Sequence, residues 1–156
     1  MTDCVARSAG PADLDVLCDL VRTCIAELRT QRGGALWAVT SARSEPLEAT
    51  FAEAIATPGS LVLCGDYVGA TVGFAAARLV PTNDGNHIAR VTDLFTLPEA
   101  RHVGVGEAMM NECVAWARSH NAIAIDAAVL PGTRDAKNFF EGFGLTAREL
   151  TVSLTL

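Results

Sequence analysis

With 156 residues, half of them hydrophobic and 19% charged, the chain has the composition of one folded domain, residues 1–156, and not of a disordered segment. The formal net charge of −6 disfavours nucleic-acid binding, which needs Lys and Arg against phosphates; it suits an amine partner and, as readily, plain solubility. No apolar run reaches the roughly 20 residues that cross a bilayer, and residues 1–10 carry Asp3 and Arg7 where a signal peptide has its apolar centre, so the expectation is a cytoplasmic protein with no membrane partner.

Residues 2–8 read as a short first strand, broken by Gly10-Pro11. Leu14, Leu17, Cys18, Val21, Ile25 and Leu28 recur at helical spacing and predict a helix over 11–29, opened by Pro11. Gly33-Gly34 closes that region. A second helix starts near Pro46, with Leu47, Phe51, Ala54 and Ile55 on one face. After Pro58-Gly59, residues 60–66 and 72–80 read as two strands joined by a turn over 67–70. Residues 81–86 form a loop, and a fourth strand follows over 88–97. Val105, Met109, Cys113, Trp116 and Ala117 then predict a helix ending near His120. Residues 122–129 read as a fifth strand, apolar enough to be buried on both faces. Beyond Pro131-Gly132 comes a short helix over 133–141, closed by Gly142 and Gly144, and the alternation of 146–156 predicts a final strand. Hairpins first and strand–helix–strand units later describe a mixed α/β domain.

The five cysteines are odd in number and include no Cys-x-x-Cys pair, and the three histidines sit at no metal-ligand spacing. Reduced thiols and no metal are therefore expected, with Cys113 a core residue of its helix.

The stretch from Asp93 to Glu107 carries the chemistry. It runs from a strand through a tight loop, Arg101-x-x-Gly104-x-Gly106, into a helix. A helix N-terminus leaves backbone N–H groups unpaired, and these donors with the helix dipole favour a bound anion such as a pyrophosphate. A Cβ would hold phosphates away, so bulky residues at Gly104 or Gly106 are expected to damage binding more than folding. A dinucleotide Gly-x-Gly-x-x-Gly would need glycine where Met109 stands, and no Gly-x-x-x-x-Gly-Lys-Ser/Thr occurs.

This stretch resembles the acyl-CoA signature of the GNAT superfamily of N-acetyltransferases: a strand, a Pro followed by a polar residue (here Pro98 and Glu99), Arg/Gln-x-x-Gly-x-Gly/Ala, and a long helix. Further on, Thr133-x-x-Ala136-x-x-Phe139-Phe140-x-x-x-Gly144-Leu145 resembles the family's Asn-x-x-Ala-x-x-Phe-Tyr-x-x-x-Gly-Phe. The resemblance covers nearly the whole chain and is weakest over 30–45. It implies a central mixed β-sheet splayed between the fourth and fifth strands, with helices on both faces. It also implies acetyl-CoA as cosubstrate. Arg101 and the backbone amides of His102, Val103, Gly104, Val105, Gly106 and Glu107 would take the pyrophosphate. The backbone of Leu94, Phe95 and Thr96 would pair with the pantetheine arm, and Thr133 and Phe140 would lie beside the cofactor. A primary amine, on a small molecule or a peptide, would attack directly in a ternary complex while a backbone N–H polarises the carbonyl.

The departures are Thr133 for the family's usual Asn and Phe140 for its frequent Tyr, the donor to the leaving thiolate. Phenylalanine donates no proton. Asp93 stands where members often carry an acid and is the first candidate for a base acting through water; the other readings are a solvated carboxylate or an arginine partner. Asp126 is a second candidate, equally explained by burial and an ion pair. Glu99 solubilises its loop, His102 lends its backbone, and Tyr67 packs at the hairpin turn. Trp37 and Arg32-Gly33-Gly34 make 29–39 either a substrate wall or a connecting loop. The missing Tyr and Asn motivate a rival reading, a non-catalytic acyl-CoA sensor. The short C-terminal region leaves a sheet edge that a second copy can complete as a homodimer.

Overall fold

The computed structural model describes residues 3–156. The first strand forms as β1, Cys4–Ser8; Thr2, its expected start, lies outside the described residues. A single turn of 3-10 helix, Pro11–Asp13, leads into α1, Leu14–Leu28. The entry is fixed where the Asp13 carboxylate accepts from the Gly10 amide at 2.8 Å and from Arg7 of β1. The connecting segment contains α2, Gly34–Thr40, a helix not expected from the sequence, and α3, Leu47–Ala56, follows.

The strands β2, Ser60–Tyr67, and β3, Ala70–Pro81, form the expected hairpin. Its turn takes left-handed φ at both Val68 and Gly69, the twist a two-residue hairpin turn requires. Next come β4, His87–Thr96, then α4, Val105–Ser119, β5, Ile125–Ala127, and α5, Arg134–Gly142. Both late helices stop as the sequence indicates. Asn121 and Gly144 adopt left-handed φ, and the amides of Ala122 and Leu145 reach back to Ala117 O and Phe140 O, satisfying orphan carbonyls.

The sheet order is β1-β2-β3-β4-β5, antiparallel except for the parallel β4–β5 pair. Alternate side chains feed two cores. Val62, Cys64, Phe74 and Ala76 face α1 and α3, against Leu17, Val21, Leu47 and Phe51. Leu63, Ala75 and Ala77 face α4, against Val105, Met109, Met110 and Cys113. The long helix lies close because β2 has Gly65 beneath it, where a Cβ would stand 2.7 Å from both Met109 Sδ and Val105 Cγ1.

One irregularity positions the site. Ala76 pairs with Asp93 but Ala77 pairs with Val91, so Thr92 is an extra residue in β4. Strict alternation would put Val91, Asp93 and Phe95 on one face. The bulge instead leaves Val91 in the α4 core and turns Phe95 into the α1–α3 core. The parallel pairing with β5 stops at the same point, Val91 opposite Ala127. From Thr92 onward, β4 has no strand partner on that side among the described residues, and the two strands part.

Three expectations need correction at this end. The fifth strand spans three residues, not 122–129. It is half-buried, not buried on both faces, and Ile123 beside it is 59% exposed. The final strand over 146–156 does not form. A three-residue β5 offers too short an edge to hold a partner, and Leu150, Val152 and Leu154 stand in solvent. No described helix is long and apolar enough to cross a membrane.

Candidate active site

The end of β4 and the start of α4 are joined by a 3-10 turn, Pro98–Ala100, and by residues 101–104. His102 and Gly104 both take left-handed φ, 66° and 106°. Left-handed residues in a turn point successive amides into one concavity, the geometry of anion-binding nests. Here the six amides from His102 to Glu107 meet no acceptor among the described residues; the first intrahelical bond is Ala108 N to Gly104 O, at 3.0 Å. These are the donors that the sequence reading assigned to a pyrophosphate. A φ of 106° is glycine territory, so a side chain at Gly104 also burdens folding, contrary to expectation. At Gly106 a Cβ would sit 3.4 Å from the Phe139 ring, an ordinary contact, so the fold leaves space for a Cβ at this residue.

The loop is braced from three directions. Arg101 Nε donates to Thr96 O at 3.0 Å and its Nη2 to Glu27 Oε2 of α1 at 2.8 Å, so its guanidinium secures the turn and occupies the Thr96 carbonyl. Cys4 Sγ donates to Val103 O. Phe139, one ring edge from Gly106, packs with Phe140 and Phe143 against the α4 core. Glu27, Cys4 and Phe139 went unnoticed in the sequence. The first two lie 74 and 99 residues from their partners, and no local pattern announces such pairs. Phe139 stands inside the Thr133–Leu145 motif, next to Phe140.

Leu94, Phe95 and Thr96 lie on the part of β4 that has lost its β5 partner. Leu94 leans toward the α4 core and Phe95 toward the α1–α3 core, so their main chain borders the gap. Thr133 occupies the N-cap position of α5 without a side-chain cap; its hydroxyl donates back to Leu130 O at 2.6 Å.

Asp93 lines a cleft of about 310 Å³ on the α1–α3 side, together with Thr92 and residues 41–44. Its Oδ2 accepts from Arg43 Nη2 at 2.8 Å and from the Thr92 hydroxyl at 2.9 Å; both the carboxylate and the guanidinium are mostly buried. Arg43 rests on the Phe51 ring, 4.3 Å from its centroid. It gave no signal in the sequence. Asp126 takes both Arg90 and Arg148; burial pushes its pKa up, but these hydrogen bonds outweigh it and hold the carboxyl below its ordinary range, which suits an anchor and not a base. Glu99 is exposed. Cys113 is fully buried, and burial raises its thiol to about 12, far from a nucleophile's range. Tyr67 packs against the α4 core. Trp37 packs from α2 onto α1, and the turn before it meets the loop after β5, with Gly132 against Arg32. Among the described residues no cluster of three or more His, Cys, Asp or Glu could hold a metal ion.

Solved structures share this architecture. The BH1408 protein of Bacillus halodurans, solved as a tetramutant, superposes with a TM-score of 0.81 at 21% identity, over 97% of this chain and 99% of that one. An aminoglycoside acetyltransferase, meta-AAC0020, from an uncultured soil metagenomic sample and solved with sisomicin, gives 0.73 at 14%, over 99% and 95%. The ribosomal-protein-alanine N-acetyltransferase of Brucella melitensis biovar Abortus 2308 gives 0.72 at 12%, over 98% and 99%. At these identities the likeness is one of fold. No curated protein matches the sequence. The sequence itself, over residues 25–145, matches the Acetyltransferase (GNAT) family, and together with the open amide turn and the parted β4 and β5 this places the chain in the GNAT acetyltransferase family.

Proposed function

We propose that residues 1–156 form one cytoplasmic acetyltransferase domain that moves an acetyl group from acetyl-CoA to a primary amine, small-molecule or peptide. The observation that carries this reading is the run of six unpartnered amides at the mouth of α4, directly after a strand that has parted from its neighbour. Acetyl-CoA supplies the acetyl group as a thioester. The amides of His102, Val103, Gly104, Val105, Gly106 and Glu107 bind its pyrophosphate, Arg101 holds their loop, and the edge of Leu94, Phe95 and Thr96, its Thr96 carbonyl already taken by Arg101, pairs with the pantetheine arm. Thr133 and Phe140 flank the arm from α5. The acceptor nitrogen forms the new C–N bond as the C–S bond breaks, with its electrons leaving on sulfur. Asp93 receives the ammonium proton through Oδ1, which accepts no hydrogen bond among the described residues. The second proton, lost from nitrogen as the amide forms, passes through water to the thiolate, because Phe140 has no proton to give.

Calorimetric titration with acetyl-CoA and free-thiol detection over an amine panel test the reading together. Gly106→Val should weaken acetyl-CoA binding roughly 10–100-fold, the range for losing charge-assisted hydrogen bonds, and leave the melting temperature of the unliganded protein nearly unchanged. Asp93→Asn should lower kcat about 10²-fold with acetyl-CoA affinity intact. Binding without thiol release across a broad panel would favour the acyl-CoA sensor, which the arginine-bound Asp93 and the hydroxyl-free Phe140 also accommodate.

The proposal extends to a homodimer in which the 146–156 segment of one copy lies against a second. The alternating Leu150, Val152 and Leu154 are each at least 80% exposed, an apolar surface that a second copy would cover. A monomeric mass by light scattering would reject the dimer and leave the enzyme reading in place.

A further inference from the structure

The cleft beside Asp93 is small and carries the wrong charge for a polycation. Its volume of about 310 Å³ lies at the lower end of the roughly 300–1,000 Å³ of small-molecule sites, which points to an acceptor of amino-acid size. Its charged lining is Arg43, Arg78 and Asp93, two cations to one anion, in a chain whose net charge is −6. A polyamine or an aminoglycoside needs several carboxylates. This cleft has one, already shared with a guanidinium.

The unmet hydrogen-bonding groups point the same way. Of the nitrogens of Arg43, only Nη2 is bonded; Nε is buried without a partner, and Nη1 has none among the described residues. The ring of Phe51 holds this guanidinium in place, so its donors are fixed in direction. Arg78 stands opposite Arg90 across the β3–β4 pair, on the same face. Asp126 engages Arg90 and Arg148, while Arg78 has no carboxylate within salt-bridge distance among the described residues. Beside these donors lies one open acceptor, Asp93 Oδ1. The cleft borders the point where β4 leaves β5, since Thr92 and Asp93 line it and the pairing ends at Val91.

We infer that the acceptor amine carries a carboxylate of its own: an amino-acid-sized zwitterion whose ammonium meets Asp93 Oδ1 and whose carboxylate is held by Arg43 and Arg78. The assignment rests on the acetyltransferase reading and narrows its substrate class.

The test compares matched triples, each a common α-amino acid, its carboxamide and its decarboxylated amine, on the full chain. Binding is measured by calorimetry in the presence of CoA, and turnover by free-thiol release from acetyl-CoA. The free acid should be preferred over the other two by roughly 10–100-fold in Kd and in kcat/KM, as expected for loss of charge-assisted hydrogen bonds. Arg78→Gln, a change at an exposed strand residue, should shrink that preference to a few-fold and leave acetyl-CoA affinity unchanged. Arg43→Lys should shrink it likewise, because an ammonium cannot reproduce the guanidinium fork. Equal or better binding of the carboxamide or the amine overturns the inference. So does failure of every amino acid to bind, or a preference that survives both substitutions. Carboxylate-selective binding without thiol release upholds the specificity of the cleft and overturns catalysis instead.

Discussion

Both α2 and α4 begin after a left-handed glycine, Gly33 at φ 78° and Gly104 at φ 106°, and each has a second glycine close behind. The second glycine nevertheless serves a different end in each turn. At α2 the Gly34 amide turns back to Gln31 O at 2.8 Å, and a Cβ on Gly34 would lie 1.8 Å from Leu28 O. That glycine exists for close packing against the end of α1. At α4 the amides face no protein acceptor, and Gly106 has room for a Cβ. A glycine pair before a helix therefore carries two meanings: at α2 the second glycine lets backbone touch backbone, and at α4 it keeps space clear beside an unbroken run of six free amides.

The largest effect should come from Gly34→Ala. Its Cβ must displace backbone, so a loss of about 3 kcal/mol is expected, at the upper end of overpacking costs. That is a fall of roughly 10 °C in Tm for a chain of this size. Gly106→Ala, by contrast, should hold or raise Tm, because alanine suits a helix better than glycine by about 1 kcal/mol. Differential scanning calorimetry of the two variants decides; similar losses would erase the distinction between the turns. Gly104→Ala should fall between them. A β-carbon at left-handed φ costs about 1–2 kcal/mol, and the same distortion turns amides away from the phosphate site. It should therefore lose both Tm and CoA affinity, where Gly106→Val loses only the second.

What was legible follows the same division. The loop from Pro98 to Gly106 could be read because its function resides in main-chain groups, and local residues dictate main-chain direction. The helix stops at Asn121 and Gly144, and the hairpin at Val68-Gly69, are local in the same sense. The bulge at Thr92 is not. It is a register shift against β3 that no residue in β4 announces, yet it puts Asp93 and Val91 on opposite faces. Arg43 was equally hidden, since its meaning comes from Asp93, fifty positions later, and from the Phe51 ring. Residues 122–129 and 146–156 were overread as strands. The first is apolar and the second alternates, as strands do, but pairing stops at Ala127, where β5 leaves β4, and residues 146–156 pair with no strand of the described chain.

A smaller effect should sharpen the contrast from the loop side. Arg101→Ala removes the ties to Thr96 O and Glu27. The Arg101 and Glu27 side chains are each about one-third exposed, at 37% and 32%, so solvent screening limits the stability loss to about 1 kcal/mol or less. Acetyl-CoA affinity should fall about tenfold, since the loop then spends part of its time with its amides unaligned, and a preorganised site loses that fraction. A variant that binds acetyl-CoA normally would show that the left-handed backbone alone holds the donors.

The smallest effect concerns the opposite end of the site, where β5 and the segment after α5 meet. Asp126 is held below 3.8 by hydrogen bonds from Arg90 and Arg148, against the upward push of burial. A depressed carboxyl stabilises the fold above its unfolded pKa, and that contribution disappears as pH falls through the lower folded value. Both arginines are partly exposed, so about 0.5–1 kcal/mol is expected at pH 7. Asp126→Asn should lose that amount at neutral pH. Its stability curve should meet the wild type's below 3.8, where the wild-type carboxyl is itself protonated. Arg148 to Asp126 is also the one side-chain tie between residues 146–156 and the sheet among the described residues. A protease active at pH 7 should therefore clip this segment faster in Asp126→Asn than in the wild type, while the β2–β3 hairpin stays protected in both. Equal cleavage rates for the two proteins at pH 7 would mean that the segment is held by its apolar residues and not by this charge.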